Sequence, residues 1–83
     1  MNAKELYQTG IQCFQQNDFN QGVRYLLESA KLKYSPAIKE IGLCFLYGIG
    51  VKASLNKAIK YFKIAKDEAE AQFELSKLYF FGY

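Results

Sequence analysis

A chain of 83 residues holds one domain at most, because independently folding domains need about 50 to 200 residues. With 51% apolar and 23% charged residues it is not intrinsically disordered; with no His, no Trp and two Cys it lacks the commonest general base and the ligands for a disulfide framework or a four-ligand zinc site. No cofactor or metal is expected, and the net charge of +3 conceals +1 over residues 1–34, +5 over 35–66 and −3 over 67–83.

The first predicted helix spans 3–16. Residues 1–5 run into polar sequence without the apolar stretch of a signal peptide, so the expected compartment is a reducing cytoplasm. The second helix, 19–33, places Phe19, Val23, Leu26 and Ala30 on one face, and Asp18 is placed to accept from its first free amides. Ser35 followed by Pro36 reads as a cap and a first-turn proline opening a third helix, 36–48. The longest apolar run, 41–51, has 11 residues and three glycines, too short to cross a bilayer that needs roughly 20.

Loop 47–52 follows. Its glycines permit left-handed backbone, and Ile49 or Val51 can fold back over the hairpin end. A phosphate cradle is the sharper reading of the same loop, but the third glycine of the dinucleotide pattern and the Gly-Lys-Ser/Thr of a phosphate-binding loop are both missing. Leu55, Ala58, Ile59, Phe62 and Ala65 give a fourth helix, 55–66, capped by Ser54. Asp67 and Glu70 have the spacing of a reciprocal capping pair and start a fifth helix, 68–81, rather than letting the fourth run on. No segment alternates with a period of two.

Repetition organises these elements. Ser35-Pro36-Ala37-Ile38-Lys39-Glu40-Ile41-Gly42 matches Ala69-Glu70-Ala71-Gln72-Phe73-Glu74-Leu75-Ser76, and Cys44-Phe45-Leu46-Tyr47-Gly48 matches Leu78-Tyr79-Phe80-Phe81-Gly82, an offset of 34. Gly10, Cys13 and Phe14 repeat Gly42, Phe45 and Leu46 at an offset of 32. A period near 34 is that of a helical hairpin. The fold class is therefore all-α: a solenoid of about two and a half helix-turn-helix repeats in a right-handed stack of five helices, divided at 1–34, 35–68 and 69–83. The small residues Gly10, Gly42, Ser76, Gly22, Ala58 and Ala65 are expected at the helix crossings, and Leu26, Phe45, Phe62 and Leu75 as core anchors.

The segment Ala37 to Gly42, the loop Tyr47-Gly48-x-Gly50-Val51 and the stretch Lys57-Ala58-x-x-Tyr61-x-x-x-Ala65 together resemble the Sel-1-like repeat, a relative of the tetratricopeptide repeat. The resemblance covers about residues 35–82, while the first hairpin, with Asn17-Asp18-Phe19, is more similar to a plain tetratricopeptide unit. The sequence departs from the pattern where the usual Gly-Asn is missing after Lys66 and where Ser76 stands for Gly. Members with cysteine-stapled hairpins carry a Cys in both helices of a repeat; Cys13 and Cys44 fall on successive first helices, so that subgroup and its enzymatic claims are not indicated.

The resemblance implies a non-catalytic adaptor that binds a protein or peptide on the surface lined by the first helix of each hairpin. The candidate residues are Tyr7, Ile11 and Phe14; Lys39, Leu43, Leu46 and Tyr47; and Phe73, Lys77 and Phe80. The positions that grip a carboxy-terminal carboxylate in some tetratricopeptide domains hold Tyr7, Ile11, Glu40, Glu70 and Glu74, so a partner ending in acidic residues is not expected.

Two other functions stay open. Self-association through the fifth helix would cover Phe73, Leu78, Tyr79, Phe80 and Phe81. RNA binding would use Lys52, Lys57, Lys60, Lys63 and Lys66, with Tyr61 or Phe62 stacking on bases; nucleic acid is the weaker reading, because lysines every third residue spread around the helix. Catalysis would require a closed pocket holding Glu40 and Glu74 together.

Overall fold

The structure, a computed structural model, describes residues 1–81, so Gly82, the match to Gly48, and Tyr83 lie outside the described residues. Five helices follow one another: α1 (Ala3–Gln15), α2 (Phe19–Lys31), α3 (Ser35–Tyr47), α4 (Leu55–Ile64) and α5 (Ala69–Phe80). Among the described residues there is no strand. Helix α1 packs on α2 and α3 on α4 as two hairpins; α2 lies against α3, α4 against α5, and α5 touches only the edge of α3. The resulting stack measures 38 × 23 × 17 Å.

The helix ends follow local chemistry in most places. Asp18 accepts from the Gln21 amide at 3.3 Å and Ser54 from the Lys57 amide at 3.3 Å, as their positions predict. Asn2 and Glu5 form a complete reciprocal cap on α1, with bonds of 2.9 and 2.8 Å, which the sequence reading passed over. Two expected caps do not form. Ser35 is already helical and the cap position falls to Tyr34, whose ring packs on Tyr7 instead. Helix α5 is capped at Glu68 without a side-chain bond; the cap falls one residue past Asp67, which takes Glu70 out of the reciprocal position, and the Glu70 carboxylate accepts instead from Lys39 at 2.8 Å, across the α3–α5 contact. The break between α4 and α5 is real: residues 65–68 leave the helix, and the Gln72 side chain donates to the Lys66 carbonyl at 2.9 Å.

Close approach explains the small residues. A methyl group on Gly22 would meet the Phe14 ring at 2.6 Å, and one on Gly42 would meet the Phe62 ring at 2.6 Å, so each hairpin closes with an aromatic ring seated where a side chain is missing. Ser76, the third member of the series, is exposed and stands at no crossing.

The core has two clusters. One gathers Val23, Leu26, Ala37, Ile41 and Cys44 between the hairpins; the other gathers Ile38, Ala58, Phe62, Ala65, Ala71 and Leu75 under α4 and α5. Leu26, Phe62 and Leu75 are buried as expected. Phe45 is only half-buried: it stacks on Tyr61 with centroids 5.7 Å apart and planes 6° from parallel, and touches both clusters. In the loop after α3, Gly48 and Gly50 have φ of 68° and 70°, and Ile49 and Val51 fold back onto the first cluster. The Ser54 amide closes the loop by donating to the Phe45 carbonyl at 2.8 Å.

Candidate protein-binding groove

Helical geometry sorts the first helix of each repeat into two faces. At about 100° per residue, Glu40, Leu43 and Tyr47 share one side of α3, while Lys39 and Leu46 turn toward α5. A hollow of about 370 Å³ opens on the first of these sides. Its lining combines the apolar Phe14, Phe19, Leu43, Cys44 and Ile49 with Tyr47 and the carboxylates of Glu40, Glu70 and Glu74. Three repeats thus contribute to one recess: Phe14 from α1, Leu43 and Tyr47 from α3, and two glutamates from α5.

The other candidates are distributed differently. Tyr7 and Ile11 line a neighbouring shallow hollow along α1, together with Gln8, Gln12 and Gln15. Leu46 packs into the second core cluster. Lys39 lies at the seam between α3 and α5, where its ammonium sits 2.8 Å from both Glu40 and Glu70. Phe73, Lys77 and Phe80 line none of these recesses. At an offset of 34, Phe73 and Phe80 occupy the positions that Lys39 and Leu46 use to meet α5; no helix of the described residues covers them, and Phe80 is 83% exposed.

Electrostatics in the recess is set by its carboxylates. Burial works to lower the Lys39 ammonium, but hydrogen bonds and charge from Glu40 and Glu70 outweigh it and hold the group above its usual value. Burial, reinforced by Glu40, pushes the Cys44 thiol up to about 12, so it stays protonated. Burial first and Glu40 next also raise the Tyr7 phenol. Glu74 is only 7% exposed and meets Lys77 at 3.0 Å, a burial that a carboxylate on an amphipathic helix does not announce. Its 34-residue offset from Glu40 was the available signal, since Glu40 has the inward-facing place in the preceding repeat.

The recess does not meet the condition set for catalysis. It is open to solvent along the side of Glu70 and Tyr47, the latter 62% exposed. Among the described residues no group of three or more His, Cys, Asp or Glu converges as a metal site would. Among the same residues no helix is long and apolar enough to cross a membrane. The basic face of α4 offers no free ring beside its lysines: Phe62 is fully buried, Tyr61 is stacked on Phe45, and Lys57 and Lys63 lie over the rings of Phe45 and Tyr79 at 5.3 and 5.9 Å.

Stacked hairpins whose first helices share a recess define a helical-repeat protein of the solenoid type. The Sel1 repeat model matches residues 3–34, 35–68 and 69–83, which is nearly the whole chain, and the chain belongs to the Sel1 repeat family. The first hairpin is included in that match, its short turn notwithstanding. Sel1 repeats generally mediate protein–protein interaction. No curated protein matches the chain.

Proposed function

We propose that residues 1–83 act as one non-catalytic scaffold domain that holds a peptide or helix of a protein partner in the recess between α1, α3 and α5. The observation that carries this reading is the apolar lining made jointly by Phe14 and Leu43 and left open beside Tyr47. An apolar centre with a polar rim is the usual form of a peptide-accepting surface, and side chains supplied by successive repeats lengthen it along the stack. The two free thiols, Cys13 and Cys44, fit the reducing cytoplasm expected for such a scaffold.

Selection from a displayed library of random peptides, with hits retested on variants, checks the reading. Tyr47→Ala and Phe19→Ala each remove an exposed ring that lines the recess and lies outside both core clusters; both should weaken selected peptides about tenfold or more while helical circular dichroism is kept. Peptides held equally by wild type and both variants would place binding on another surface.

A second reading rests on α5. Phe73, Phe80 and Phe81 are 62%, 83% and 70% exposed. Rings of about 150–250 Å² each would then supply roughly half of the ~800 Å² per partner that a standard interface buries. A second copy presenting the same face would give a symmetric pair through α5, in which each copy's rings supply about half of its own share and the surface around them the rest. Light scattering across a concentration series should show a dimer that Phe80→Asp returns to monomer; a monomer at every concentration removes this reading.

A further inference from the structure

The recess has a chemical preference that its shape alone does not give. The chain carries 11 Lys and Arg against 8 Asp and Glu, yet three carboxylates and none of the 11 cations line the hollow. We infer that, if the recess is the binding surface proposed above, it takes a segment of a protein partner in which a lysine or arginine stands beside an apolar side chain.

Charge accounting supports this occupant. The two nearest ammoniums lie at the edges: Lys39 serves Glu40 and Glu70 together at 2.8 Å, and Lys77 reaches Glu74 at 3.0 Å. Two cations against three carboxylates leave a surplus negative charge around a mostly apolar hollow. An incoming acidic segment would add like charge beside these carboxylates, whereas a cation would balance the surplus. Glu70 keeps 53% of its side chain exposed and so retains an accessible face toward a ligand.

The apolar part of the hollow suits the same ligand. A volume of about 370 Å³ is near the lower end of the roughly 300–1,000 Å³ of ligand clefts, so it admits a few side chains rather than a whole helix. The methylenes of a lysine or arginine can lie on Leu43 and Phe14 while the charged head extends to the glutamates. The rings of Tyr47 and Phe19 in the same lining are available to a cation or to the neighbouring apolar residue.

The peptide selection described above tests the preference when its hits are read for composition. Peptides that depend on Tyr47 should be enriched in Lys or Arg next to Leu, Ile, Val or Phe. Their affinity should fall about tenfold on Glu40→Gln with Glu70→Gln, in line with the loss of charge-assisted hydrogen bonds. With wild-type protein, needing no variant, it should also fall as salt is raised from about 50 to about 500 mM. Tyr47-dependent peptides that are neutral or acidic, or indifferent to salt, would overturn this inference and leave the groove itself standing. Absence of any Tyr47-dependent peptide would overturn both.

Discussion

Lys33 adopts a backbone conformation that suits glycine: its φ is 63°, as is that of Asn17 at the matching turn of the first hairpin. Asparagine tolerates the left-handed region, whereas lysine incurs about 1–2 kcal/mol there. The Lys33 side chain is exposed, so Lys33→Gly removes strain and no packing. The added flexibility of glycine offsets part of the gain, and a net stabilisation of about 0.5–1 kcal/mol in chemical denaturation is expected. Ser29 is the opposite case. It is fully buried in α2 and its hydroxyl donates to the Ala3 carbonyl at 2.7 Å, pinning the start of α1. Ser29→Ala should cost about 0.5–1.5 kcal/mol, the net worth of that part-buried hydrogen bond, since the Ala3 carbonyl keeps its place in the α1 ladder. Neither residue was legible in the sequence: the Ser29 bond spans 26 residues, and a lysine in the left-handed region has no local signature.

Elements were far more legible than their ends. Apolar spacing located α2 and α4, because Val23 and Leu26, or Ala58 and Phe62, must share a face to be buried at all, and the repeat offset located α1, α3 and α5. Caps read correctly where a side chain had only its own helix to serve, as at Asp18 and Ser54, and failed where the helix start fell one residue later and left the carboxylate to a tertiary contact, as with Glu70 and Lys39. Each hairpin depends on one ring facing one glycine. Phe62→Ala should therefore cost about 3–5 kcal/mol, and Gly42→Ala, which drives a methyl group into that ring, about 1–3 kcal/mol, both read from denaturant midpoints. If Gly42→Ala proved neutral, the α3–α4 crossing would have room that the 2.6 Å approach denies it.

At the scale of the molecule, titration concentrates on one side of the pH range. Cys44, raised from 9.0 to about 12, Tyr7, raised above 10.0, and Lys39, raised above 10.5, all bind protons more tightly folded than unfolded. Their contribution is complete below about pH 9 and is lost as pH rises through the folded values, so melting temperature should decline between about pH 9 and 12. Cys44→Ala should flatten the first part of that decline, and a profile without any alkaline loss would contradict the burial assigned to these groups. The recess was half legible: the repeat offset announced that leading helices would share a surface, but it could not tell that Leu43 both packs on the second core cluster and lines the recess while Leu46 only packs.

Helix α5 rests on α4 and only the edge of α3, yet it supplies Glu70 and Glu74 to the recess and, on its far side, the bare rings of Phe73 and Phe80. One rod thus serves two surfaces at once. Any neighbour that clasps those rings also steadies the carboxylates behind them, and a guest drawn to the carboxylates steadies the rings in return. Occupancy at the end of the stack and occupancy in its hollow would be linked only so far as one guest orders α5 for the other, and any such linkage would run equally in both directions.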